Sequence, residues 1–253
     1  MSRNILITLD VEEFDIPLEY NCAIPANRQM EVGKAGLDAV LSVIQPHNIA
    51  CTMFTTANFA NHYPHAVQQM AQQHEIASHT YYHSTYQTEH LLQSRLRLQQ
   101  ITGKPITGLR MPRMKKVPMA DVVAAGYAYD SSVNPIWLPG RYNNLHLPRT
   151  TYTQEGMLRV PASVSPGLRI PLFWLAFKNM PYGLFKKLTL QTLRKDGYVC
   201  LYFHPWEFVD IEGYNLPGYV KKRNGQPLLH RLDKLIRDMK QEGDCISIQQ
   251  MLA

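Results

Sequence analysis

The stretch that decides the fold is Asn4–Asp15, NILITLDVEEFD. Asn4–Leu9 is a short apolar run rich in isoleucine and closed by acids, which predicts a buried strand with Asp10 at its carboxyl end. Glu12 stands two residues further on, so an extended backbone points both carboxylates the same way. An acidic cluster by itself is an ordinary solvated loop. At the end of a buried strand it becomes a candidate site.

Outward from this stretch the same short apolar pattern recurs. Strands are predicted at Ile49–Thr55, Glu75–Ser78, Ile106–Leu109, Tyr127–Asp130, Tyr198–Phe203 and Cys245–Ile248. Between them, helical spacing predicts helices at Val32–Ile44, Tyr63–Gln73, Glu89–Ile101, Pro118–Ala125, Tyr182–Lys195 and Leu228–Gln241. Pro135–Pro171 is rich in proline, glycine and asparagine. It is expected to be a substrate-facing insertion, with strand only at Met157–Ala162. Strand and helix alternation predicts an α/β fold, and a barrel is preferred over an open sheet because the candidate residues sit at carboxyl strand ends that must face one another.

At 253 residues and 29.0 kDa, with 45% hydrophobic residues, the chain is expected to be a single catalytic domain over 1–253 with a substantial core. The opening MSRNILITLD has no apolar core of secretory length, which leads to the expectation of a cytoplasmic protein, with the inner face of the membrane as its margin. The most apolar stretch, IPLFWLAFKNMPYGLF, is broken by Lys178 and Pro181, which argues against membrane insertion and leaves peripheral contact open. The net charge of +6 favours anionic partners such as phosphorylated sugars, acidic glycans or lipid surfaces. Nucleic acid is not expected as a partner, because the basic residues are dispersed and no finger, RNP-like or helix-turn-helix signature accompanies them. Cys22, Cys51, Cys200 and Cys245 show no C-x-x-C spacing and are expected to be reduced packing residues. Nothing in the sequence specifies an oligomeric state.

The second chemical segment is HTYYH, His79–His83. Two histidines at i and i+4 share a face if the segment is a helix or tight helical turn, and zinc accepts such ligands with a carboxylate as third. Glu12 is the candidate carboxylate. Asp10 is the better base, Arg110 at the end of ITGLR can hold or orient it, and His204 after YVCLYF can protonate a leaving group. Asp130 ends AYAYD and can orient His204 or Arg110, although an acid before SSVNP also suits an ordinary turn. Each of these residues alone has a bland explanation in packing or surface pairing. Their convergence at strand ends favours an active site.

In this order the segments LDVEE, HTYYH, RMPR, YDSS and LYFH resemble the polysaccharide deacetylase family, the NodB-like or carbohydrate esterase family 4 group. HTYYH is the specific match, to the family's H-[ST]-x-x-H. FHPWEF, Phe203–Phe208, together with LDVEEFD resembles a D-V-E and F-H-P-W-E branch associated with exopolysaccharide or cell-envelope glycans. The resemblance implies a distorted (β/α)7-8 barrel and metal-dependent hydrolysis of an N-acyl group, most often acetyl on an amino sugar. Zinc is the implied ion, with cobalt, manganese or nickel as alternatives. Asp10 is then the base, Glu12, His79 and His83 the metal ligands and His204 the general acid, with Arg110 orienting Asp10 and Asp130 tuning the acid. Arg113 and Trp206 are expected to bind substrate, with Trp137 and Trp174 as further surfaces for sugar rings.

Two departures from the family pattern stand out. Asp10-Val11-Glu12-Glu13 replaces adjacent aspartates, which keeps Glu13 as a rival metal ligand, and Arg113 stands where an aromatic residue is common. Competing functions are hydrolysis of a non-sugar amide or formamide, and an inactive barrel that binds glycans.

Overall fold

The computed structural model describes residues 3–253. Its strands are β1 (Asn4–Val11), β2 (Thr52–Thr55), β3 (Glu75–Ser78), β4 (Gly108–Leu109), β5 (Tyr129–Asp130), β6 (Trp137–Leu138), β7 (Tyr142–Asn143), β8 (Tyr152–Gln154), β9 (Met157–Arg159), β10 (Tyr198–Phe203) and β11 (Asp244–Cys245). The helices are α1 (Ile16–Glu19), α2 (Ala26–Ile44), α3 (Ala57–His62), α4 (Pro64–Gln73), α5 (Glu89–Thr102), α6 (Met119–Ala124), α7 (Trp174–Asn179), α8 (Tyr182–Asp196), α9 (Gly218–Lys221), α10 (Gln226–Lys240) and α11 (Ile248–Leu252).

The main sheet runs β10-β1-β2-β3-β4-β5-β9-β8, with β11 pairing beside β1. Every pair from β10 to β9 is parallel, and β8 folds back antiparallel on β9. The sheet curls until its ends meet through irregular chain: Ser163 N–H donates to the Cys200 carbonyl at 2.9 Å, and Cys200 N–H donates to Ser163 Oγ at 2.8 Å. The expected barrel is therefore present, distorted at this seam, where single residues rather than paired strands close the ring.

Alternation along β1 sorts its side chains between two cores. Ile5, Ile7, Leu9 and Val11 pack outward with helix residues such as Leu37, Val40, Leu232 and Ile236. Leu6 packs inward with Phe54, Ala77, Tyr129, Val160 and Cys200. The inward parity continues through Thr8 and Asp10, so the interior becomes polar toward its carboxyl end. The register Leu9↔Phe203 brings the end of β10, and hence His204, beside the end of β1.

Helix α2 sets the height of that end. A Cβ on Gly33 would lie 2.5 Å from the Glu12 carbonyl oxygen, and one on Gly36 would lie 2.2 Å from that of Pro205. The missing side chains let the helix press directly on the backbone carrying Glu12 and the turn after His204.

Several elements differ from expectation. Helix α2 starts at Ala26 rather than Val32, following Pro25. The last predicted strand, Cys245–Ile248, contracts to Asp244–Cys245, because Ser247 and Gln250 form a capping box that starts α11 at Ile248. The small antiparallel hairpin β6-β7 arises within Pro135–Pro171, where strand is predicted only at Met157–Ala162, and helix α7 arises between that stretch and the helix predicted from Tyr182. The four cysteines are free, and no described helix is long and apolar enough to cross a membrane.

Candidate metal centre and hydrolytic site

Strand β1 delivers Glu12 just past its end, and β3 delivers His79 in the same way. His83 follows on a loop rather than on the helical turn expected for HTYYH: the backbone turns at Thr80, whose φ is +61°. That loop is fixed where the Thr80 carbonyl accepts hydrogen bonds from Ala57 N–H at 3.0 Å and Ser94 Oγ at 2.8 Å. The result still joins the histidines. Their rings stack with centroids 5.6 Å apart, and each Nε2 lies 3.1 Å from the same Glu12 oxygen, Oε2.

The donor chemistry of this cluster fits a divalent metal. Nδ1 of His79 lies 2.8 Å from the Arg110 carbonyl, which can only accept, so that nitrogen carries the proton and Nε2 offers a lone pair. Nδ1 of His83 lies 2.7 Å from Asp15 Oδ1, the carboxylate–histidine arrangement that raises ligand basicity and fixes the ring. Glu12 Oε2 is buried and has no hydrogen-bond partner. One oxygen and two nitrogens, all within 4.8 Å of one another, thus converge as lone-pair donors. A proton can share the space: although burial acts the other way, the carboxylates of Glu12 and Asp15 push His83 up to about 9. Burial likewise works against an ionised Glu12, yet His83, His204 and His79 hold its carboxyl far below the usual range. Metal must displace that proton, so uptake is expected to depend on pH.

Glu13, the rival ligand, points away. Its oxygens accept from Thr56 Oγ1 at 2.7 Å and Asn58 Nδ2 at 2.6 Å, which ties β1 to the start of α3. Trp206, expected at the sugar, does line the cavity, but it is 2% exposed and presents little of its ring there. Its Nε1–H donates to Glu12 Oε1 at 3.0 Å, so it aims the candidate ligand.

Asp10 and His204 lie side by side in the lining of one cavity of about 350 Å³, which the metal cluster also lines. Fully buried Arg110 donates to Asp10 Oδ1 at 2.7 Å and stacks over Phe54 and Tyr202, leaving Oδ2 facing His204 Nε2 at 3.9 Å. Burial would lower the proton affinity of His204, but the charges of Glu12, Glu207 and Asp10 hold it above the ordinary histidine value. A base and an acid side by side at the edge of one cavity can move protons to and from one substrate.

Asp130 does not reach His204. It pairs with Arg159 at 2.9 Å and binds both N–H and Oγ of Ser132, fixing a turn whose Ser131 carbonyl and hydroxyl hold Arg110. The carboxylate at His204 Nδ1 is Glu207, at 3.1 Å, because an acid three residues after a cap position folds back on it. Arg113 does line the cavity, but its guanidinium is engaged by Glu19, by Asp15 at 3.1 Å and by the His83 carbonyl at 3.1 Å. Glu19 also pairs with Arg141 of the β6-β7 hairpin at 3.1 Å. Asp15 and Glu207 were the functional residues missed. Their signals were the last acid of LDVEEFD and the i+3 acid of HPWE.

Residues 31–128 match the family model described as Polysaccharide deacetylase. That span holds His79, His83, Arg110 and Arg113; β1 and β10 lie outside it. No curated protein sequence matches the chain. The fold is similar to the crystal structure of a presumptive polysaccharide deacetylase from Mycobacterium smegmatis, with TM-score 0.66 at 16% identity over 99% of this chain and 90% of that one. It is also similar to a probable polysaccharide deacetylase from Pseudomonas aeruginosa PAO1, with TM-score 0.64 at 17% identity over 96% and 86%. Puue Allantoinase gives TM-score 0.64 at 18% identity over 98% and 88%.

Proposed function

From the chain's likeness to polysaccharide deacetylases, over residues 31–128 and in fold, we propose that it is a metal-dependent hydrolase removing an N-acyl group, most plainly acetyl, from an amino sugar of a glycan or lipid-linked glycan precursor. The observation that carries the reading is Glu12 Oε2, buried without a hydrogen bond between two imidazole nitrogens whose rings are oriented from behind. Glu12, His79 and His83 would hold the ion. When bound, a divalent metal polarises the acyl carbonyl and acidifies water.

The protein's own groups do the rest. Asp10, aimed by its hydrogen bond from Arg110, takes the proton of the attacking water. His204, with Nε2 3.9 Å from Asp10, gives a proton to the departing amine as the C–N bond breaks, so acetate and a free amino sugar leave. Trp174 and Tyr142, with Tyr20, Phe173 and Tyr219, are among the aromatic surfaces of the cavity wall that a sugar ring can meet. We propose the cytoplasm as the place of the reaction, with peripheral membrane contact favoured by exposed Tyr219 in the cavity lining and by exposed Leu18 and Trp137, which adjoin the lining residues Glu19 and Leu138 in sequence.

The test is metal stoichiometry of the purified protein beside His79→Ala and His83→Ala, followed by an acyl-release screen. About one zinc or cobalt ion per chain, lost in both variants, is expected, together with acetate release from an N-acetylated sugar. Asp10→Asn should keep the metal and lose turnover. Formate or a ring-opened acid as product would favour the non-sugar amide reading. Sugar binding with no acyl release would favour an inactive barrel.

A further inference from the structure

One buried charge pair behind the cavity is left unused by this chemistry. Lys178, on α7, and Glu207, in the turn after β10, are both fully buried, with Nζ 3.4 Å from Oε2. Neither atom has a hydrogen-bond partner. Such a pair is a poor stabilising device, since removing two ions from water costs several kcal/mol and an apolar replacement is often neutral or better. Its other end explains it. Glu207 Oε1 accepts from the backbone N–H of His204 at 2.8 Å and lies 3.1 Å from Nδ1 of the same residue. Trp206 stacks on the His204 ring at 5.0 Å and Trp174 meets it edge-on at 5.1 Å, while Lys178 Nζ sits 6.0 Å and 5.8 Å from the centroids of those two rings.

We propose that Glu207 and Lys178 are positioning residues: Glu207 fixes the proton of His204 on Nδ1 and the ring's aim, Lys178 pairs with the other Glu207 oxygen and holds the carboxylate in place, and Nε2 is thereby presented to the substrate as a proton donor. The proposal rests on the hydrolytic reading of His204 and adds what makes that acid work. A carboxylate at Nδ1 stabilises the imidazolium that must exist before each proton delivery, and the lysine at its far oxygen keeps it turned toward His204. The charged groups facing His204 are Asp10 and Glu12 from the β1 end, Glu207 from its own turn and Lys178 behind Glu207. Asp10 and Glu12 are shared with the reaction. Glu207 and Lys178 are not, so they can be changed separately.

The experiment is the pH profile of Glu207→Gln and Lys178→Met in the zinc-loaded protein. Gln keeps an acceptor for both His204 protons and removes only the charge. Glu207→Gln is expected to lower kcat about 10-fold or more at pH 8 with KM within about twofold, and to move the alkaline limb of kcat/KM down by about one pH unit. The pair Glu207→Gln/Lys178→Met, with no buried charge left, should be at least as stable as the parent and equally impaired. It also carries the test if the single variants do not fold. A merely structural pair would give the opposite result, with the double variant regaining the parent's rate and profile. Imidazole NMR of His204 separates this proposal from the reading beneath it. A downward-shifted titration of His204 in Glu207→Gln, with the Nδ1–H hydrogen bond retained but weakened, supports the positioning role even if no acyl substrate turns over. An active parent with an unchanged Glu207→Gln profile and spectrum overturns it.

Discussion

Gly36→Ala should damage the site from outside the barrel. The added Cβ would lie 2.2 Å from the Pro205 carbonyl oxygen, 2.4 Å from its carbon and 2.8 Å from Trp206 N. Carbon and oxygen normally approach to about 3.3 Å, so α2 and the turn after His204 must separate by about 1 Å. All the close atoms are backbone, so no side-chain rotation relieves the contact. Replacing glycine in a helix interior gains about 1 kcal/mol, whereas overpacking costs about 1–3 kcal/mol, leaving a net loss of up to about 2 kcal/mol. The larger effect is positional. The displaced turn carries Trp206, which aims Glu12, and Glu207, which holds His204. A shift of about 1 Å at reacting groups can cost about 100-fold in rate. Urea denaturation, zinc affinity and acyl release measured on one preparation read all three effects. Gly183→Ala, at the start of α8 with nothing within 4 Å, is the control and should be neutral or slightly stabilising. A Gly36→Ala protein with the parent's stability, zinc affinity and turnover would refute this account of how the helix sets the site.

Two further outcomes follow from the geometry. Asp15→Asn should weaken zinc binding by about 10–100-fold by loosening His83, whereas Glu13→Gln should leave zinc affinity unchanged and lower stability; competition against a chelator measures both. His74 is buried, and desolvation lowers it to about 4 from an ordinary 6.5. The unfolded chain therefore takes up this proton first as pH falls. Its contribution is intact above pH 6.5 and declines through the window between those values, and the accumulated loss amounts to about 3 kcal/mol once both forms are protonated. Urea midpoints at pH 7.5 and 4.5 should differ less in His74→Asn than in the parent; equal differences would sink the assignment.

Much of the chemistry was legible because it depends on local order. Short apolar runs ending in Asp10, His79, Arg110 and His204 mark parallel strands whose carboxyl ends share one side, and i to i+2 parity puts Asp10 and Glu12 on the same face. The sequence could not choose between Glu12 and Glu13, because that choice depends on where β1 meets α3 and on the Thr56 and Asn58 side chains that claim Glu13. Nor could it reassign Asp130. Its partner Arg159 comes from β9, which pairs with β5 only when the sheet curls.

What the sequence by itself determined was the alternation of strand and helix, the barrel, and the donor types available for a metal and for proton transfer, since periodicity and side-chain chemistry are properties of the chain. Tertiary structure alone decided which acid meets which base. The Lys178–Glu207–His204 line joins α7 to the turn after β10, and Trp206 turned from an expected sugar platform into the support of Glu12, because burial in a closed barrel assigns each polar atom a partner that no local pattern encodes.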